Sequence, residues 1–280
     1  MAPNRTEIPS PALSCARLAV VGRGRLGTAL CAALQTAGVQ VRGPLGREER
    51  PDGDANAVLL CVPDTEIPAA AAAVAGLVPL VGHTSGATPL AALAASDSTA
   101  FGFHPLQTFT SDGSGEVMHA GRAEGRPPRG TETLTRFAGA GCAVAGETTA
   151  ALEFASALAR QLGMRAFEIA DEDRPAYHAA ASIASNFLVA LEATAEQVAG
   201  GAGIEPAEAR ALLAPLVRSS VDNWAALGPE RALTGPVARG DDATVARQRD
   251  AVSDVAPESL ALFDELVART RALAGREALQ

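Results

Sequence analysis

Three groups of residues in this sequence have the types and spacing to do chemistry. The first is Gly22-Arg-Gly-Arg-Leu-Gly27, a Gly-x-Gly-x-x-Gly string directly after the apolar run Leu18 to Val21 and opening a helical pattern. In that context the first glycine makes a tight turn, the second lets the backbone approach a pyrophosphate, and the third allows close helix–strand packing. Gly22, Arg23, Gly24, Arg25, Leu26 and Gly27 are therefore the expected cofactor loop, with the helix N-terminus supplying free N–H groups to the phosphates. The second group follows apolar runs that read as strands: Val62, Pro63 and Asp64 after one, His83 and Ser85 after the next, and His104-Pro105 after another. Ligands of open α/β sheets bind at such carboxyl ends. Either imidazole instead serves to tie a loop to backbone in the alternative reading. The third group is His178, Ser182 and Asn186, spaced i, i+4, i+8 and so expected on one helix face. There His178 is a candidate proton carrier near pH 7. The alternative is a close helix–helix contact in an Ala-rich core.

Arg42 lies about 20 positions past the loop, where an acidic residue binds the ribose 2′-OH in NAD-binding proteins. A guanidinium there suits a 2′-phosphate, so the expected cofactor is NADP, with NAD second. Arg239, in Gly235-Pro-Val-Ala-Arg-Gly-Asp241, is a candidate for binding a small carboxylate substrate. The alternative makes Arg239 an ion-paired structural residue and Asp241 the cap of the next helix.

The elements that must position these groups follow from pattern. Short apolar strands at Leu18–Val21, Val39–Arg42, Ala57–Val62, Leu77–Val81 and Thr99–Phe103 alternate with helical segments, which argues for a mostly parallel sheet covered on both faces. Only fourteen residues, Gly43 to Asn56, join the second strand to the third, leaving little room for a helix there. Gly141–Ala145 and Arg165–Ile169 read as further strands flanking a helix over Thr148–Leu162. Beyond Ala170 the strand signal stops, and four helical segments follow, beginning at Pro175, Pro206, Asp241 and Pro257. The expected organisation is a tail over 1–14, a doubly wound Rossmann-type α/β domain over 15–170, and an all-helical substrate and dimerisation domain over 171–280. Residues Thr110 to Glu132 read as an exposed loop.

Composition sets the limits. The chain has 280 residues, 48% of them apolar, and a net charge of −9, which offers no footprint for nucleic acid or an anionic membrane. All 23 basic residues are arginine, which excludes Schiff-base chemistry and a phosphate loop ending in Gly-Lys-Ser/Thr. Four unpaired cysteines and the lack of a signal-peptide pattern point to a cytoplasmic protein, and no run is long enough to span a bilayer. Four scattered histidines offer no metal-ligand spacing, so no metal is expected.

Together with Cys61-Val-Pro-Asp64, His83-Thr-Ser-Gly86, His104-Pro-Leu-Gln-Thr-Phe109, Ser185-Asn186 and Thr234-Gly-Pro-Val-Ala-Arg-Gly-Asp241, the glycine loop resembles a bacterial Rossmann-like family whose helical C-terminal domain has no known function (number 2520). The architecture is similar to 6-phosphogluconate dehydrogenases, ketopantoate reductase and pyrroline-5-carboxylate reductase. The resemblance implies an NADP-dependent oxidoreductase acting on a CH–OH or CH–NH group of a small molecule, such as a keto or hydroxy acid, and a homodimer formed through the C-terminal helices. Dehydrogenases of that superfamily carry a Lys-x-x-x-Asn pair on the first helix after the sheet. Asn186 matches the asparagine, but Ser182 stands at the lysine position. The proton of reduction then falls to His178 or His104, with Asn186 orienting the carbonyl. The alternative is a nucleotide-binding regulatory or scaffold protein that kept the fold and lost the catalytic lysine.

Overall fold

A computed structural model describes residues 16–110 and 134–277. The expected tail over 1–14 and nearly all of the loop expected over Thr110 to Glu132 lie outside those residues. The chain divides into two compact units, Met1–Ser182 and Ile183–Gln280. The division falls within the C-terminal helical run rather than at Ala170, because the first helix after the sheet packs with the sheet.

In the first unit seven strands form one sheet: β1 (Arg17–Val21), β2 (Gln40–Leu45), β3 (Ala57–Leu60), β4 (Leu80–His83), β5 (Thr99–Pro105), β6 (Gly141–Gly146) and β7 (Arg165–Glu168). Their order is β2-β1-β3-β4-β5-β6-β7, parallel throughout except for the antiparallel β5–β6 pair. The helices are α1 (Arg25–Thr36), α2 (Ile67–Ala73), α3 (Thr149–Gln161) and α4 (Arg174–Ser182). This is the expected Rossmann-type sheet. Chain order reverses between β1 and β3, whose successors lie on opposite sides, so the switch-point crevice opens above Gly22 and Cys61.

Why these strands lie inside is visible in their alternation. Leu18, Val20, Leu59 and Phe101 face one layer with Leu30 and Leu34 of α1 and Phe154 and Leu158 of α3. Ala19, Val58, Leu60 and Val81 face the other with Ile67 and Ala71 of α2. Both faces being covered, the strands read as continuous apolar runs. The second layer is thin, since residues 46–56 cross from β2 to β3 without a helix.

The second unit is helical: a π-type turn over Ile183–Phe187, then α5 (Leu188–Gly200), α6 (Pro206–Leu227), α7 (Pro229–Ala232), α8 (Gly235–Ala238), α9 (Asp242–Val255) and α10 (Leu260–Glu277). Proline in the first turn starts α6, where a missing N–H costs nothing. Asp241 caps α9, its carboxylate accepting from the Thr244 N–H at 3.0 Å. Between α5 and α6 runs an apolar groove of about 410 Å³, lined by Leu188, Leu191, Leu213, Leu216 and Trp224. No helix among the described residues is long and apolar enough to cross a membrane.

Phe101 tests the core. It is fully buried and meets Phe154 edge-on at 5.3 Å between ring centroids. Phe101→Ala removes a ring that neighbouring side chains cannot replace, and should cost about 3–5 kcal/mol in urea unfolding. A loss below about 1 kcal/mol would place Phe101 outside the folding core.

Candidate functional site

The glycine loop has the geometry of a phosphate cradle. Gly22 has φ +116° and its missing side chain would sit 2.1 Å from the Cys61 carbonyl oxygen, so only glycine fits. At Gly27 a Cβ would strike the Gly22 carbonyl, which is how close α1 comes to the turn after β1. Gly24 differs from both: nothing lies within 4 Å of where its Cβ would be. It precedes an α1 N-terminus that no side chain caps, so backbone N–H groups face open space at the switch point. Leu26 packs on the core, while Arg25 is exposed at the start of the helix. The described residues fit a dinucleotide pyrophosphate.

The adenosine side departs from expectation. Arg42 is not at the carboxyl edge of the sheet. A register shift lets β2 run on, so that Val21 pairs with Leu45 while Arg42 stands level with Ala19. The shift sits at Gly43, φ +129°, whose Cβ would meet the Val20 carbonyl oxygen. Arg42 instead pairs with Asp52 and lines a groove of about 280 Å³ with Arg17, Gln40 and Asp54. At the carboxyl end of β2 the Leu45 carbonyl accepts from the Gly22 N–H, and Gly46 and Arg47 follow it, the latter paired with Glu66. Arg23 is tied down too: it donates to the Glu49 carboxylate at 2.6 Å and to the Pro44 carbonyl at 3.3 Å. Glu49 also accepts from the Gly46 N–H at 2.6 Å.

The carboxyl ends of β3, β4 and β5 converge on a polar cluster. Ser85 donates to Asp64 at 2.7 Å and accepts from the Thr88 N–H at 2.9 Å, which sets the loop after β4. Val62 packs on the core and Pro63 leads in extended conformation into the turn that carries Asp64. His83 is fully buried, its Nδ1 accepting from the Ser85 N–H at 3.2 Å, which leaves its proton on Nε2. Arg174, at the start of α4, is only 2% exposed. It donates through Nε to Asp171 at 2.6 Å and through Nη1 to the Ser85 carbonyl at 3.3 Å, while Asp171 accepts from the Leu90 N–H at 2.8 Å. One turn on, the Tyr177 hydroxyl lies 2.6 Å from His104 Nδ1. The His104 and His178 rings stand 6.0 Å apart, both resting on Gly86, where a Cβ would come within 2.9 Å of either ring.

His83 and His104 thus belong to one cluster with His178 and Ser85. Ser182 ends α4, half-buried. The expected single face through Asn186 assumed an unbroken 3.6-residue period, and the π-type turn over Ile183–Phe187 breaks it. Asn186 and Arg239 are exposed residues of the second unit. Sequence reasoning missed Tyr177, Arg174, Asp171, Arg47 and Glu49. Tyr177 is the chain's single tyrosine, directly before His178, and that was a usable signal.

Residues 140–270 match the model of a family described as "Domain of unknown function (DUF2520)". No curated protein matches the chain. Among solved structures, a candidate NADP oxidoreductase from Bacteroides fragilis, BF3122, superposes with a TM-score of 0.72 at 18% identity, covering 93% of this chain and 100% of that one. Protein TM1727 from Thermotoga maritima gives 0.70 at 23% identity, with 93% and 99% covered. A reductive aminase from Aspergillus terreus, in complex with NADPH and ethyl levulinate, gives 0.62 at 14% identity, with 94% of each chain covered. These likenesses carry the fold.

The buried imidazoles make stability depend on pH. Burial foremost, then the Arg174 charge, lowers His83 from 6.5 to about 4. Burial foremost, then His178 and Arg174, lowers His104 to about 4. The unfolded chain takes up these protons at about 6.5 and the folded one does not, so stability is complete above that pH and is lost as pH falls from 6.5 towards 4. Urea midpoints should fall across that window, and His83→Gln should flatten the slope by up to about 1.4 kcal/mol per pH unit. An unchanged slope would mean that His83 charges freely in the fold.

Proposed function

For a chain whose residues 140–270 belong to the DUF2520 family and follow a Rossmann-type sheet, we propose an NADP-dependent oxidoreductase. It transfers a hydride between the nicotinamide cofactor and a small keto or hydroxy acid. The observation that carries this is Gly24: open space beside an uncapped helix N-terminus at the switch point, in a sheet whose β4 and β5 bear imidazoles at their carboxyl ends. The structural neighbours named for NADP or solved with NADPH support it. When bound, the cofactor supplies the hydride. Gly22, Gly24 and Gly27 with the start of α1 hold its pyrophosphate, and the loops of Asp64 and Ser85 border the nicotinamide end. From the resemblance we carry over that Asn186 orients the reacting group and Arg239 meets a substrate carboxylate.

Cofactor choice passes from Arg42 to the residues at the carboxyl edge. Arg47 supplies a guanidinium for a 2′-phosphate, and Arg23 supplies a second when released from Glu49. The missing lysine and the Arg23–Glu49 pair favour the second reading, a regulator or scaffold that kept the fold. Titration calorimetry decides: NADPH should bind tighter than NADH. Arg47→Ala should weaken NADPH at least about tenfold, roughly the 1.4 kcal/mol of one charge-assisted contact, and leave NADH unchanged. Glu49→Gln, removing a like charge, should tighten NADPH by about fivefold. Binding of neither nucleotide at millimolar concentration would leave the scaffold reading.

A homodimer through the C-terminal helices is part of the proposal. Phe187, Val189, Leu216 and Trp224, large apolar side chains of the helical unit, are 58–70% exposed, as side chains that meet a partner are. A second copy of the chain is the occupant that the superfamily resemblance implies, with the same helices facing each other across a two-fold. A cytoplasmic setting suits the unpaired Cys31, Cys61 and Cys142. Light scattering should give twice the chain mass at micromolar concentration, and Leu216→Glu should halve it. A wild-type monomer would reject the dimer.

A further inference from the structure

We propose that Tyr177 is a positioning residue that fixes His104 as a neutral imidazole presenting Nε2–H, and that this polarity selects a carbonyl oxygen over a protonated imine as the group reduced. The inference rests on the reductase reading and narrows its substrate class.

The length of the contact bears on where the proton lies. Tyr177 Oη and His104 Nδ1 are 2.6 Å apart. That is short for an N–H donor, whose bonds centre near about 2.9–3.0 Å, and suits an O–H donor. Among the described residues His104 is the hydrogen-bond partner recorded for the phenol, and Phe167 packs on the tyrosine ring at 5.9 Å. Were Nδ1 protonated, the phenol would accept, and its own proton would have no acceptor by geometry among the described residues. Burial also holds the phenol above its ordinary value, so it keeps its proton. A protonated phenol beside a neutral imidazole makes O–H···Nδ1, and the imidazole proton is left on Nε2.

The surroundings keep His104 neutral. Among the described residues the titratable groups facing it are Tyr177 and His178 from α4, Arg174 from the start of α4, Asp64 after β3 and His83 at the end of β4, with the Cys142 thiol of β6 beside it. Both His178 and the buried Arg174 oppose a positive charge on the ring, and burial opposes it more. Proton delivery by a His104 imidazolium at neutral pH, which the sequence suggests, therefore gives way to a hydrogen bond from neutral Nε2–H. The atom has a defined place: Nε2 lies against Gly86, on the loop after β4. The same tautomer is set at His83 by the Ser85 N–H.

A neutral N–H donor discriminates by chemistry. A carbonyl oxygen has lone pairs to accept it, more strongly as charge develops during reduction. A protonated imine presents an N–H and no lone pair, so donor would face donor. When hydride adds to the carbonyl carbon, the C=O π pair moves to oxygen, which accepts the Nε2–H bond and takes its proton from water, the hydroxide passing to bulk. His104 keeps its proton throughout. This separates the chain from folds of its kind that reduce C=N bonds, the reductive aminase among them.

The test reads the ring directly. Protein labelled with ¹⁵N-histidine is observed by long-range ¹H–¹⁵N correlation from pH 5.5 to 8.5, the His104 signals being assigned by their loss in His104→Gln. The expected pattern is a neutral Nε2–H tautomer across the range, turning into a mixture of tautomers in Tyr177→Phe. An Nδ1–H tautomer or an imidazolium at pH 7 overturns the proposal, and an unchanged tautomer in Tyr177→Phe removes Tyr177 from it. The selectivity is read with NADPH and two probe sets, 2-oxo acids and cyclic 1-pyrroline or 1-piperideine carboxylates. Saturable oxidation with the oxo acids alone supports the selection, and turnover of the imines alone refutes it. Failure of NADPH to bind would tell against the reductase reading, while the tautomer spectrum still decides the part of Tyr177.

Discussion

One ion pair, between a buried arginine and a half-buried aspartate, holds the polar cluster of this fold together. Arg174 is enclosed where α4 begins, bonded to Asp171 and to the Ser85 carbonyl, while Asp171 also holds the Leu90 backbone. A guanidinium taken out of water needs an ion-pair partner and hydrogen bonds; Nε and Nη1 have them while Nη2 is buried without one among the described residues, so the two bonds to Asp171 and to the loop after β4 carry the charge. Every imidazole of the cluster depends on that. Ser85 orients His83, Gly86 is the floor for His104 and His178, and α4, started by Arg174, brings Tyr177 onto His104 a turn later. Arg174 also makes the neighbourhood positive, which joins burial in keeping two histidines neutral.

On the proposed reading, a site without lysine works with neutral donors. Here tyrosine and imidazole share a single hydrogen bond whose direction is set by the protonation each prefers. The Tyr177–His104 pair can polarise an acceptor without holding a charge of its own, and electrostatic help of this kind costs no reorganisation during reaction.

Much of this was legible in the residues. Leu18–Val21 followed by Gly22-x-Gly24-x-x-Gly27 specified strand, turn and helix, because only glycine tolerates the turn at Gly22 and the contact at Gly27. The short link from Gly43 to Asn56 correctly left no room for a helix. His83 and His104 were recognisable from their place after apolar strands. What failed did so for physical reasons. The end of β2 was misjudged because Gly43-Pro44 looks like a stop, whereas the strand bulges there and continues to Leu45, moving Arg42 away from the nucleotide edge. The helical period after His178 concealed the π-type turn, which no residue type announces. Arg174 gave no signal in the sequence, since its burial depends on a partner, Asp171, and on a backbone carbonyl from the loop after β4.

The central claim is that the switch-point crevice holds a dinucleotide rather than merely preserving its outline. Gly24 isolates that claim, since its φ of −70° suits any residue and its Cβ position is empty. The measurement is NADPH affinity and urea midpoint for Gly24→Val. The account predicts an unchanged midpoint with NADPH binding weakened at least about tenfold, a loss of roughly 1.4 kcal/mol or more. Undiminished NADPH affinity in a folded Gly24→Val protein would contradict it.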